Sequence, residues 1–156
     1  MLYYTLVYPY INYGILLWGS ASKHLINQIF IKQKKAIRII SGAAYNTTTE
    51  PIFKCLCIPT LKDMYDIEMN KLMYSFYNNN LPVNIQCMFI DNKSIHQHLT
   101  RHRNDPHITK RRTAFASDTF IHMAPKKWLL LPDEIKNAKN CTSFRKKLKV
   151  FINKQK

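Results

Sequence analysis

His96, His98, His102 and His107 crowd into one short stretch with Arg101, Arg103, Lys110, Arg111 and Arg112. Imidazoles this close in sequence suggest zinc, because neutral ring nitrogens are good ligands for it. His98 and His102 would share a face only on a helix, and Thr100, Asn104 and Pro106 oppose one. Two other readings stay open: a cationic loop suited to phosphate contact, and a merely solvated basic loop. Asp63, Asp66 and Glu68 are the nearest approach to a carboxylate set. They do not share one helical face, and Thr60 with Asp63 already reads as a capping box. Cys55 and Cys57 are too close for a zinc knuckle, and Cys87 and Cys141 supply no second pair at finger spacing. All four read as reduced thiols, which fits an intracellular protein, nuclear or cytoplasmic.

No known reaction centre emerges. The chain has no glycine elbow around a serine, no HExxH, no CxxC and no GxxxxGK loop. Its 9 acids are scattered, so no pair is set to hold divalent ions against a phosphate. The expectation is no catalytic residue, no metal and no cofactor. What remains is charge. The formal net charge is +15, from 24 Lys and Arg against those 9 acids. Residues 1–60 carry +5, residues 61–90 carry −1 and residues 91–156 carry +11. Such a surplus favours nucleic acid or another anionic surface as partner. The middle segment is the one suited to scaffold alone.

The elements that position these cations are helical. In residues 22–41, Leu25, Ile26, Ile29, Phe30, Gln33, Ala36, Ile37 and Ile40 recur in steps of three and four. Ser22 stands at the N-cap position and Gly42 just past the end. Lys32, Lys34, Lys35 and Arg38 occupy the other sides. The last helix, near 143–153, repeats this plan: Phe144, Leu148, Phe151 and Ile152 form one stripe. Arg145, Lys146, Lys147, Lys149, Lys154 and Lys156 fill the rest. Further helices are expected at 2–17, with a kink or break at Pro9, at 60–77, and near 133–139. A short one is expected at 50–56. Leu2, Leu6, Tyr10, Tyr13 and Leu17 fall on helical spacing in the first of these. The expected core is Leu6, Leu17, Ile26, Ile29, Phe30, Ile37, Phe53, Leu61, Leu72, Phe76, Trp128, Phe144 and Leu148. Trp18, Trp128, Pro132 and Phe144 are the expected structural anchors. Pro125 and Pro132 bracket Trp128, Leu129, Leu130 and Leu131. The fold class is therefore mostly α: a small helical bundle with a basic irregular loop and a basic C-terminal helix. Residues 1–90 form one helical region and 91–156 the loop, the Trp/Pro block and the final helix. The apolar run from Met1 to Gly19 lacks a cationic lead and is interrupted by Pro9, Asn12 and tyrosines. No membrane partner is expected from it. A chain that opens inside an apolar element suggests a piece of something larger.

Several segments together carry a family resemblance. YTLVYPYINYGILLWG followed by LINQIFIKQKKAIRIISG resembles the region after the palm in reverse transcriptases of non-LTR retrotransposons, the LINE-like, jockey-like group. PIFKCLCIPTLKDMYDIEMNKLMYSF resembles the helical part that follows there, and LTRHRND an arginine-bearing loop. APKKWLLLPDEIKNAKNCTSFRKKLKVF resembles the closing block, through Trp128, Leu131, Pro132, Ile135, Ser143, Phe144 and Leu148. Ala124 stands where glycine is usual, and Leu129 where asparagine is usual. The resemblance implies an RNA-directed DNA polymerase as parent, working by paired-magnesium chemistry at palm aspartates. The aromatic-x-Asp-Asp stretch of that palm is absent here, as are the fingers. This chain thus resembles the thumb-side and C-terminal remainder, without activity of its own. Residues 1–90 would be thumb-like, and an upstream polymerase domain would be the partner. Lys32, Lys35, Arg38, Arg101, Arg111, Arg112, Arg145, Lys146 and Lys149 would touch RNA or DNA backbone without reading bases.

Overall fold

A computed structural model describes residues 2–95 and 98–154. The chain is mostly α-helical, as the periodicity implies, and holds no strand among the described residues. It divides into two compact units, Met1–Tyr65 and Asp66–Lys156.

The first unit opens with a π-helical turn, Tyr3–Val7, followed by α1 (Tyr8–Asn12), α2 (Ile15–Trp18), α3 (Lys23–Ser41) and α4 (Glu50–Cys55). The span 2–17, expected as helix with a kink or break at Pro9, is therefore three pieces. Pro9 sits in the first turn of α1, where its missing N–H costs nothing. The break falls instead at Tyr13-Gly14: Tyr13 is extended and Gly14 is left-handed at φ 60°. The Trp18 indole N–H spans that break, donating to the Tyr13 carbonyl at 2.7 Å.

This break and the wide π turn change the phase of the apolar stripe. Leu6 and Leu17, expected in the core, are exposed. Tyr3, Ile11 and Ile15 are buried in their place, with Val7 half-buried between them. Those inward residues recur every fourth position, which suits a locally unwound helix better than a strict 3.6 period. Tyr3 packs with Ile37, Phe53 and Ile58, and Ile11 and Ile15 pack with Leu61 and Met64. Ile26, Ile29 and Phe30 are half-buried against these clusters. Gly19 is needed for close approach, because a Cβ there would collide with both the Tyr65 ring and the Ile15 carbonyl oxygen.

Gln33 explains its place on the apolar face of α3. It is buried, and its amide nitrogen donates to the Tyr3 hydroxyl at 2.7 Å and the Pro59 carbonyl at 3.1 Å. Its amide oxygen accepts the Leu61 N–H at 3.0 Å. Ser22 holds the N-cap position of α3 without a side-chain capping bond, while Gly42 ends the helix in the left-handed conformation at φ 67°. At Leu61 begins α5 (Leu61–Tyr77). The capping box is present: Thr60 N–H donates to Asp63 Oδ2 at 2.9 Å, and Asp63 N–H to Thr60 Oγ1 at 3.4 Å.

From Asp66 onward the second unit holds the rest of α5, then α6 (Val83–Gln86), α7 (Asn92–Ile95), α8 (Ala114–Asp118), α9 (Phe120–Leu129), α10 (Asp133–Lys136) and α11 (Cys141–Lys154). Its core is an aromatic stack. The Tyr74 and Phe144 rings lie 4.4 Å apart, Tyr77 and Trp128 5.3 Å, and Trp128 and Phe144 6.0 Å. Tyr74 also donates its hydroxyl to the Ala138 carbonyl at 2.7 Å. Leu72 is half-buried, while Phe76 and Leu148 are buried. Residue spacing does not signal helix α9, because Pro125 lies inside it. One proline removes one backbone bond of a short helix. Burial of His122, Ala124, Pro125 and Trp128 along the same element offsets that loss. No described helix is long and apolar enough to cross a membrane.

Candidate nucleic-acid interface

On the two long basic helices, each group of cations is set by the buried face behind it. On α3, burial of Gln33 and Ile37 leaves Lys32 and Lys35 exposed. Arg38 is half-buried and donates Nε–H to the Thr47 carbonyl at 2.9 Å. It therefore ties down the connector after α3 as well as carrying charge. Lys34 places its ammonium over the Phe30 ring, 4.3 Å from the centroid.

On α11, Phe144 and Leu148 are fully buried, and Arg145, Lys146 and Lys149 are exposed opposite them. Arg145 and Lys149 are four residues apart and Lys146 and Lys149 three, so these like charges are neighbours. Lys147 is partly engaged, donating to the Glu134 carbonyl at 3.0 Å.

The basic loop is shaped by hydrogen bonds and has a single antiparallel bridge among the described residues, Asp91 with Pro106. Asn92 holds it from both sides, through its N–H to the Asp105 carbonyl at 3.1 Å and its amide to the His102 carbonyl at 2.9 Å. The His107 N–H donates to the Ile90 carbonyl at 2.7 Å, and Tyr77 donates to the Asn104 carbonyl at 3.2 Å. Burial, with Asp91 and Asp105 nearby, holds the Tyr77 phenol well above its ordinary range. Arg101, Arg111 and Arg112 are exposed along this loop.

The histidines of the loop do not gather. His102 pairs with Asp105 at 2.7 Å, and His107 bonds the Asn92 side chain at 3.1 Å. His98 is exposed, and His96 lies outside the described residues. Among the described residues, no three His, Cys, Asp or Glu side chains stand together as a metal site. All four cysteines are free and exposed. The acids are occupied elsewhere: Asp66 pairs with Lys127 at 3.0 Å and Glu68 with Lys71 at 2.6 Å. Lys93 with Asp91 and Lys136 with Asp133 are further pairs. Among the described residues, none of the nine cations Lys32, Lys35, Arg38, Arg101, Arg111, Arg112, Arg145, Lys146 and Lys149 belongs to an ion pair.

Of the expected anchors, Trp128 and Phe144 are buried and Trp18 is half-buried. Pro132 is exposed; its carbonyl accepts from Ile135 and Lys136 N–H, which opens α10. Residue spacing leaves one buried titratable side chain unmarked. His122 is buried on α9, in a run whose apolar neighbours are the available signal.

No protein-family model and no solved structure matches this chain. Over 62 residues, 40% of its length, it is 37% identical to the "RNA-directed DNA polymerase from mobile element jockey" of Drosophila melanogaster. The matched part is 7% of that protein. The chain is thus similar, over two-fifths of its length, to a retrotransposon RNA-directed DNA polymerase, and this supports its being a fragment of such a protein.

Proposed function

We propose that this chain is the thumb-side and C-terminal part of a LINE-like reverse transcriptase, gripping template or primer backbone without reading sequence. Residues 1–90 are its thumb-like region. The observation that carries this reading is the set of nine cations outside every described ion pair, in a chain of net charge +15. Neutralising phosphates with such residues releases counterions, so affinity falls steeply with salt. The sequence contains no Asp-Asp pair, so the fragment supplies no polymerase centre and works as an accessory to an upstream palm.

The test is duplex binding against salt concentration. A linear fall of log affinity with log salt is expected. Replacing Arg145, Lys146 and Lys149 by Gln should lower the slope by about one for each phosphate no longer neutralised. A flat salt response, or no binding at low salt by a folded sample, overturns the reading.

A second reading has its own observation. Leu2, Leu6, Tyr10, Tyr13 and Leu17 all lie exposed at three- and four-residue spacing, with Tyr13 at 85%. An apolar series of this kind suits packing on another protein surface. Light scattering after size-exclusion chromatography separates the two: a monomer that binds duplex favours the grip, and an oligomer that does not bind favours packing.

A further inference from the structure

The second unit contains a cavity of about 30 Å³ that neither reading uses. Its walls are apolar on one side, including Phe89, Ile90, Ile121 and Pro125. Into the same space come His107, Arg111 and His122. The contrast with the rest of the basic surface is burial: His122 is only 7% exposed, whereas Arg111 is exposed.

The charges that act on His122, those of Lys126 and Arg111, are positive, and the acids flanking the lining, Asp91 and Asp105, are paired with Lys93 and His102. From the loop, Arg111 and His107 face the cavity; from α9 itself, Lys126 lies near His122. Met88, Phe89 and Ile90 contribute no ionisable group. The Thr109 backbone alone favours the protonated ring, and less strongly than what opposes it. Burial, then the Lys126 and Arg111 charges, push the His122 imidazole below its ordinary titration range. The ring is thus held neutral by surroundings that an anion would reverse. Protonation would make both ring nitrogens donors, and an anion oxygen would supply the acceptor.

We propose that this cavity seats the oxygens of one phosphate group, held by Arg111 with His107 and His122. Its volume admits about two water-sized groups, which suits part of a tetrahedral anion. The apolar walls strengthen such contacts by lowering the local dielectric. The inference rests on the backbone-grip reading and deepens it, since it gives one phosphate a built seat among otherwise open cations.

Sulfate is the first probe, because its charge stays constant while histidine titrates. Dimethyl phosphate, a monoanion like the nucleic-acid backbone, is the second. Histidine ring signals of the whole chain are followed by nuclear magnetic resonance at about pH 5.5 and about pH 8. Saturable shifts of His107 and His122, tighter at the lower pH, are expected with both probes. Arg111→Gln should weaken sulfate about tenfold, the scale of one charge-assisted contact. His122→Gln should flatten the pH dependence. Should that buried change unfold the chain, Arg111→Gln and His107→Gln at less buried positions carry the test. Silent ring signals, or equal weakening by Arg145→Gln, overturn the seat. A silent cavity beside a steep duplex salt slope removes the seat and keeps the grip. A filled cavity beside a flat slope keeps the seat and removes the grip.

Discussion

A single buried amide decides much of the first unit. Gln33 satisfies a phenol, a carbonyl and a backbone N–H at once. Gln33→Leu has similar bulk but strands the Leu61 N–H and the Pro59 carbonyl, and a buried unmet group costs about 1–3 kcal/mol. A lowered urea midpoint with an unchanged slope is the expected result. Tyr3, whose phenol is pushed up to about 12 mainly by burial, reports the same environment. His122 makes the second prediction at this scale. Its folded-state titration lies below its ordinary value, so the unfolded chain takes up the proton more readily. This contribution is full above about pH 6.5 and is lost as pH falls through the lower, folded value. Acidification should lower the urea midpoint of the native chain more than that of His122→Gln. Equal falls would remove His122 as the cause.

Among elements, legibility follows periodicity. Helices α3 and α11 keep one face inward over three or more turns, so their spacing alone locates them, whereas α5 is buried on several sides and is marked by the Thr60–Asp63 capping box at its start. The first stripe misleads because a π turn and Gly14 shift its phase, and residue types do not announce a π turn. Helix α9 hides for a different reason: Pro125 argues locally for a stop, and burial of Trp128 prevails. The cations of the candidate site are legible as residue types and as faces of α3 and α11. The cavity is not, since it depends on a loop bringing Arg111 beside a histidine on a helix that spacing does not reveal. Trp128 links α5 and α9 with Phe144 of α11. Trp128→Ala should destabilise by about 3–5 kcal/mol, read by thermal or urea unfolding. Loss of under about 1 kcal/mol would show that the stack tolerates its removal.

For the whole molecule, charge and apolar exposure make opposite demands on salt. A net charge of +15 repels a second copy, whereas the series from Leu2 to Leu17 favours one. Adding salt screens the repulsion and strengthens apolar association, while it weakens any hold on phosphates. Light scattering and duplex binding measured over one salt series should therefore move in opposite directions. Leu6→Ser with Leu17→Ser should abolish the salt-driven growth in mass and leave duplex affinity unaltered. A loss of both together would show one surface serving two purposes.

The Gln33 network has a consequence for how the protein is made. Its members, Tyr3, Gln33, Pro59 and Leu61, lie at the two ends and the middle of the first unit. A ribosome delivers them in that order, so the amide has no complete set of partners until Leu61 has left the exit tunnel. Until then the Gln33 amide oxygen lacks its backbone partner, and Ile11 and Ile15 lack the cover that Leu61 and Met64 bring.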